Sequence, residues 1–443
     1  MRRGVAWWKV GGLVLVWGLS TQSVEAGEVR LGGEARTGYD SNVFNRDDDE
    51  ASGDIDSAVI VFRLRGEVTD ELERGSYSAA YAPSYFINTA KDAQNTWNHH
   101  ADVGGVYNFS PRTSLSVNDR FAWIEKITFD PDDPDPDPNI DTSGKRRTAR
   151  NTTTAVLNHF FTPRLGGYTG GEYTIYRYND ASNSEDSDYV AGYGGLDYAW
   201  SQQIRVGIGA NASFRTFEGM DAPSRTFTII QPNPLPPLEI TQQFCFGEDS
   251  SRSRTLSYSG FASIGYVFDE TTSVNFRAGP ARIESTSYAC PITAPTSPMR
   301  EWQRQENDQT TWFAQGELLK RWQHVKTSLR YRRSEGTGGA GSSTVNDSVI
   351  GRVDWQISRY WAVGARASWI NRDADFATGD GSDTTTYTGS LKLTHVLLKN
   401  LRAFATVGYR YQEEDRGTNS ASREFDTWRA FLGLRYQLDP LTY

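Results

Sequence analysis

"LRAFATVGYRYQEEDRG", residues 401–417, alternates two kinds of side chain. Leu401, Ala403, Ala405, Val407, Tyr409 and Tyr411 make one set. Arg402, Phe404, Thr406, Gly408, Arg410 and Gln412 make the other. A period of two belongs to an extended strand, whose side chains point alternately to opposite faces. One face of this strand suits grease and the other suits charge. The pattern returns in "AVIVFRLRGEV" (58–68), "QIRVGIGANASF" (203–214), "LSYSGFASIGYVF" (256–268), "SVIGRVDWQI" (348–357) and "WRAFLGLRYQL" (428–438).

Each run holds about ten or more alternating residues, longer than most globular strands and long enough to cross a bilayer at a tilt. About eighteen such runs (sixteen to eighteen) can be read, and an even number is what a single-chain bacterial outer-membrane barrel requires. The connections alternate too. Tight turns such as "DELERG", "SPRT", "TPR", "SQQ", "DET" and "LKN" follow long polar segments such as 45–54, 130–147, 179–188, the Pro-rich part of 218–252, and 287–307. Short periplasmic turns and long outer loops are the layout of an up-and-down barrel. The expected fold is therefore all-β: a transmembrane antiparallel barrel over residues 27–443. Lipid cannot satisfy backbone groups, so the spanning sheet must close on itself. The greasy face of 401–411 then meets lipid, and the arginine face meets a water-filled bore. Trp361, Trp369, Tyr409, Tyr411, Trp428 and Tyr436 sit where interfacial girdles belong.

Composition agrees. Only 37% of the 443 residues are hydrophobic, while aromatics reach 13% with 41 glycines. An average soluble chain is closer to half apolar, so a wet interior fits better than a large dry core. Residues 1–26 run from Arg2, Arg3 and Lys9 through "VGGLVLVWGL" to the small residue Ala26, the order of a secretory signal peptide cleaved before Gly27. The apolar run is too short to span a membrane as a helix, and none like it follows. Two cysteines, Cys245 and Cys290, fall in long loops, where an exported chain is free to form a disulfide.

Three residues resist the pattern. Unbroken alternation puts Asp119 of "SLSVNDRFAW" on the lipid side, which a bulge or a position at the membrane rim would relieve. Pro83 and Pro280 lie inside strands of a sheet with no free edge, so a bulge is expected at each. At the C-terminus, "FLGLRYQL" has the glycine and spaced hydrophobics of a barrel-assembly signal, with "DPLTY" trailing after it.

The segment "RTGYDSNVFN" (36–45) resembles the opening of the type-two family of outer-membrane β-barrel porins, through Tyr39, Asp40, Ser41, Asn42, Val43 and Phe44. Many members of that family are exopolysaccharide-associated outer-membrane barrel proteins of Gram-negative bacteria. The resemblance implies polysaccharide export, with periplasmic export proteins as partners, and brings no catalytic residues. Read from the residues alone, Asp40, Ser41 and Asn42 are turn formers at the top of a strand, and Tyr39 is a girdle aromatic.

Alternation sends fourteen basic residues inward: Arg63, Arg65, Arg205, Arg215, Arg277, Arg330, Arg332, Arg352, Arg366, Lys392, Arg402, Arg410, Arg429 and Arg435. Inward acids are Glu34, Glu67, Asp102, Glu172, Asp197, Glu317 and Asp354. The chain carries −9 overall, yet its bore reads as basic. Rings of Arg or Lys select anions, and low-dielectric walls focus their field. The alternative is that these arginines pair with the acids and stiffen the wall. The acidic loop "DPDDPDPDPNID" invites a calcium reading, but its alternate prolines splay the carboxylates and the glycine turn of an EF-hand loop is missing. His99 and His100 are adjacent, so they face opposite sides of a strand. His159, His324 and His395 lie near tight turns. None suggests an enzyme, and no cofactor, metal-spaced set or nucleic-acid motif is found. The expected function is an outer-membrane channel exporting exopolysaccharide through a basic aqueous lumen. A general or anion-preferring porin is the alternative, and a loop-plugged surface scaffold or adhesin the third reading. Lipid, lipopolysaccharide, the barrel-assembly machinery and an acidic polysaccharide are the expected partners.

Overall fold

The computed structural model describes residues 27–41, 57–89, 95–125, 148–178, 186–218, 227–229, 238–240, 252–289, 303–337, 343–375, 382–415 and 422–442. The expected leader 1–26, the residues Asn42, Val43 and Phe44, the acidic loop 130–141, and Cys245 and Cys290 all lie outside the described residues.

The first nine strands are β1 (Glu28–Asp40), β2 (Ser57–Leu72), β3 (Gly75–Asn88), β4 (Thr96–Ser110), β5 (Thr113–Ile124), β6 (Thr148–Phe160), β7 (Leu165–Tyr178), β8 (Asp186–Ala199) and β9 (Ile204–Glu218). A small ribbon, β10 (Phe227–Ile229) with β11 (Leu238–Ile240), stands apart from the main sheet. Then come β12 (Arg252–Asp269), β13 (Thr272–Ala289), β14 (Gln303–Arg321), β15 (Val325–Thr337), β16 (Ser343–Gln356) and β17 (Trp361–Asp375). The chain ends with β18 (Ser382–Leu398), β19 (Leu401–Asp415), β20 (Arg423–Gln437) and the stub β21 (Leu441–Thr442).

Consecutive long strands pair antiparallel, β9 pairs with β12, and β20 returns to β1. Eighteen long strands thus close one barrel, and β21 adds Leu441 and Thr442 opposite Val29 and Glu28. At twelve to nineteen residues each, even the shortest long strand reaches about 30 Å along the barrel axis when tilted by about 40°. That exceeds the apolar band of about 25 Å on such barrels. One rim holds the eight tight connections, of two to four residues each. Turn chemistry explains their sharpness: Asp269 accepts hydrogen bonds from the Thr271 backbone N–H and hydroxyl at 2.7 and 2.5 Å. Register slips occur only where three of these turns begin, at 108–110, 267–269 and 396–398.

The expected bulges at Pro83 and Pro280 are absent. Pairing between β2 and β3 stops after Arg63–Ser84 and resumes at Gly66–Tyr81 in the same register. Between β12 and β13 it stops after Ser259–Ala281 and resumes at Ala262–Ala278. Proline has no N–H to give, so the ladder drops the neighbouring pairs rather than inserting a residue. On its other side each proline stays paired, Pro83 with His99 and Pro280 with Trp312.

Which face is concave follows from contacts that skip a strand. The Arg215 guanidinium on β9 lies 5.8 Å from the Tyr176 ring on β7. Phe261 on β12 and Phe313 on β14 sit 5.9 Å apart. Both contacts pass over an intervening strand, so that face is the bore, and register carries the assignment around the wall. Even-numbered residues of β19 point inward, and Leu401, Ala403, Ala405, Val407, Tyr409 and Tyr411 point outward. Outward side chains such as Leu432 and Ile208 are 66% and 64% exposed. A wall of this kind is stable in hydrocarbon and not in water. Two aromatic belts bound it. Trp369, Tyr387, Tyr409, Tyr411 and Trp428 mark the long-loop side, with Tyr409 and Trp428 rings 4.4 Å apart. Trp355, Trp361 and Tyr436 mark the tight-turn side.

Candidate functional site: the bore

All fourteen inward basic positions, and the seven inward acids, fall on the concave face in this register. Alternation alone fixed them, because one correctly placed residue fixes every other residue of its strand. The same rule extends to Arg36, Arg120, Arg150, Lys326 and Arg372, which the sequence reading left out.

Five of the bases lie in ion pairs on the wall. The Arg435 guanidinium on β20 donates to Glu34 on β1 at 2.8 and 2.5 Å. Arg330 reaches Glu317 at 3.1 Å, Arg352 reaches Asp354 at 2.9 Å, and Arg65 reaches Glu67 at 3.2 Å. Arg429 meets Asp40 at 2.7 Å, with both side chains almost wholly buried. Arg120, one of the additional bases, pairs with Asp102 at 2.9 Å. In this group the basic charges meet carboxylates on the wall itself. Arg63 donates to the Ser84 hydroxyl at 3.0 Å, Arg410 to Gln412, and Lys392 stands 4.7 Å over the Phe404 ring.

Four others differ. Arg205, Arg277, Arg332 and Arg402 are exposed to the bore and make no ion pair with any carboxylate among the described residues. Arg277 is steadied by neutral groups, with a hydrogen bond to Gln315 Oε1 at 2.6 Å and the Phe261 ring at 5.7 Å. Arg205 and Arg402 stand one residue from the tight-turn ends of β9 and β19. Arg277 and Arg332 stand further up β13 and β15. Arg205 and Arg402 line the part of the bore nearest the tight turns, and Arg277 and Arg332 its middle.

The two halves of the bore differ in exposure. Toward the tight turns, inward side chains are open, Arg352 being 51% exposed. Toward the long-loop rim, Ser84, Thr174, Thr255, Thr344, Thr427 and Arg429 on the same face are buried. The bore is therefore not uniformly open along its length.

The family-like segment has a structural role at the closing seam. Tyr39 points outward between Ala58 and Ala430. Asp40 holds Arg429, the Ser41 N–H donates to the Trp428 carbonyl at 3.0 Å, and Ser41 Oγ accepts from the Trp428 N–H at 2.8 Å. A Cβ on Gly38 would land on the Ala430 carbonyl oxygen, so only glycine fits that approach. His99 points outward, hydrogen-bonded to Tyr81 at 2.7 Å, and its neighbour His100 points inward. His395 stacks on Trp361 at 4.1 Å. No three His, Cys, Asp or Glu side chains converge as a metal site among the described residues.

No family model matches the chain, and no curated protein does. Solved structures similar to it are themselves outer-membrane barrel proteins. The ferric-catecholate import receptor Fiu of E. coli K12 is 9% identical, with a TM-score of 0.44 over 92% of this chain and 81% of that one. OccK2 (OpdF) of Pseudomonas aeruginosa is 12% identical, with a TM-score of 0.40 over 93% and 98%. OpdO of the same organism is 14% identical, with a TM-score of 0.40 over 93% and 97%. Overlap this slight says nothing about the solute of this chain.

Proposed function

We propose that the chain sits in the outer membrane of a Gram-negative bacterium as a passive channel for hydrophilic, negatively charged cargo, with an acidic exopolysaccharide leaving the cell as that cargo. The observation that carries the reading is the set of four exposed bore arginines, Arg205, Arg277, Arg332 and Arg402, that make no ion pair among the described residues. Eighteen strands enclose room for water rather than a side-chain core, and guanidinium groups outside ion pairs raise the local concentration of anions. The mechanism needs no catalytic group. A hydrated chain slides past donors that are fixed to a rigid wall and too widely spaced to hold it.

Deleting the gene tests the proposal: surface polysaccharide should disappear while small-sugar uptake stays unchanged. Intact polysaccharide with slowed uptake would replace export by a general anion-preferring porin. The buried inward side chains of the outer half favour a second reading, a surface scaffold whose bore does not conduct. Swelling of liposomes in small sugars separates the two, since a scaffold leaves them unswollen.

A further inference from the structure

We infer that the outward face of β5–β8 is where a second copy of this chain docks within the membrane, in a twofold contact centred on Asp119. The inference rests on the outer-membrane placement proposed above.

Asp119 pairs with Val103 on β4 and Thr153 on β6, both outward positions, in an unbroken register. Neither the bulge nor the rim position expected from the sequence is present. Trp123, in the upper aromatic belt, stands four residues further along β5, and Val117 lies two residues below. Asp119 is thus the one outward carboxylate between the two aromatic belts among the described residues. Other outward charged groups, among them Arg177 with Asp188, Arg282 with Glu284 and Asp308, Arg333 with Asp347, and Asp426, lie toward the long-loop rim, and Asp70 and Lys320 lie close to the tight turns.

Its support comes from the next strand. Asn151 Nδ2 donates to Oδ1 at 3.1 Å and the Thr153 hydroxyl to Oδ2 at 2.5 Å. A carboxylate has about four acceptor sites and an amide two N–H donors. These two hydrogen bonds therefore leave acceptor capacity on Asp119 and a donor on Asn151, both aimed at hydrocarbon. That surface is complementary to itself. Rotation of a second copy by a half turn about the membrane normal brings each Asn151 donor to the other copy's Asp119, and isologous contacts have this form.

Tyr173, Val190 and Phe214 project outward in the row of Asp119 and Thr153, and the next row toward the tight turns is shallow. Ala155, Gly171, Gly192 and Ala212 occupy one outward row across β6 to β9. A Cβ added to Gly192 would meet nothing within 4 Å. Small residues of this kind let membrane-embedded backbones approach closely. A water-soluble partner cannot reach this depth, so only another spanning surface can cover it. The opposite wall, with Leu391, Val407, Leu432 and Leu434 outward, is suited to lipid.

Light scattering of the purified protein in mild non-ionic detergent tests the inference. The expected result is a dimer that Asp119→Leu converts to monomer, with at least a tenfold fall in association constant. A photocrosslinking residue in place of the outward Val117 should join two copies in native membranes, and the same probe in place of Leu432 should not. The Val117 probe keeps the question open to measurement even where Asp119→Leu fails to fold. A wild-type monomer at every concentration, a dimer indifferent to Asp119→Leu, or equal crosslinking from both positions overturns the dimer and leaves the channel proposal standing. Solubility without detergent would instead overturn the membrane placement itself.

Discussion

Replacing Arg205, Arg277, Arg332 and Arg402 together by glutamine removes four exposed bore charges that make no ion pair among the described residues, while keeping polar side chains. In a bore of this size a wall charge sits about 10 Å from the middle of the path. Through water, a unit charge at that distance contributes about 0.4 kcal/mol, cut to roughly 0.15 kcal/mol by a Debye length near 10 Å at 0.1 M salt. Four such charges give roughly 0.6 kcal/mol, favouring an anion and opposing a cation equally, so removing them changes the anion-to-cation permeability ratio by a factor of about 8. Ion pairs such as Arg435–Glu34 and Arg352–Asp354 largely cancel and are left out of this sum. Reversal potentials across a planar bilayer under a salt gradient read the ratio directly. The wild-type value should shrink toward one at 1 M salt, and the fourfold variant should show a ratio about 8-fold lower than wild type at 0.1 M. Cation preference in the wild-type protein, or a ratio unmoved by the four substitutions, would falsify the assignment of these arginines to the transport path.

Asp40→Asn should weaken the closed barrel by about 3–5 kcal/mol, because the buried Arg429 then loses the Asp40 charge it meets at 2.7 Å; urea unfolding in micelles, followed by tryptophan fluorescence, gives the number, and a loss under about 1 kcal/mol would contradict the seam's role. Gly38→Ala should abolish the heat-modifiable, folded band on SDS gels, since its methyl group has no room beside the Ala430 carbonyl. Beyond the end of β20, hydrogen bonds from Lys399, at 2.9 Å, and Asn400 hold the Asp439 carboxyl below its ordinary value. A lowered folded pKa contributes stability above the ordinary carboxylate range, and that contribution is lost as pH falls through the lowered value. Lys399→Ala should therefore move the Asp439 titration, followed by carboxyl carbon NMR, upward; an unchanged midpoint would remove the hydrogen bond as its cause.

How far the sequence could be read is clear residue by residue. Arg402 and Arg410 declared their face because a period of two leaves only two choices, and the apolar partners Ala403 and Val407 selected between them. Arg120 was equally legible, since it follows the outward Asp119. Partners were not. Glu34 and Arg435 are 401 residues apart, and nothing local says that the first strand meets the last. Pro83 and Pro280 misled because missing N–H groups can be absorbed by skipped pairs as well as by bulges. Asp119 misled for a similar reason, since Asn151 and Thr153 support it from a neighbouring strand that alternation on β5 does not reveal. The burial of the outer half of the bore has no counterpart in any single strand's pattern.

The return of β20 to β1 also sets the order of events as the protein forms. Each of the other wall strands can pair with a neighbour adjacent in the main run of the chain, but one edge of β1 stays open until β20 has arrived. Contacts so distant in sequence are slow to form, and an open edge invites pairing with a foreign strand. Glu34, Arg36 and Asp40, all projecting from one side of that edge, make it a poor template for an apolar intruder. The side chains that later clasp Arg429 and Arg435 thus guard the unfinished cylinder while its last staves are still being laid.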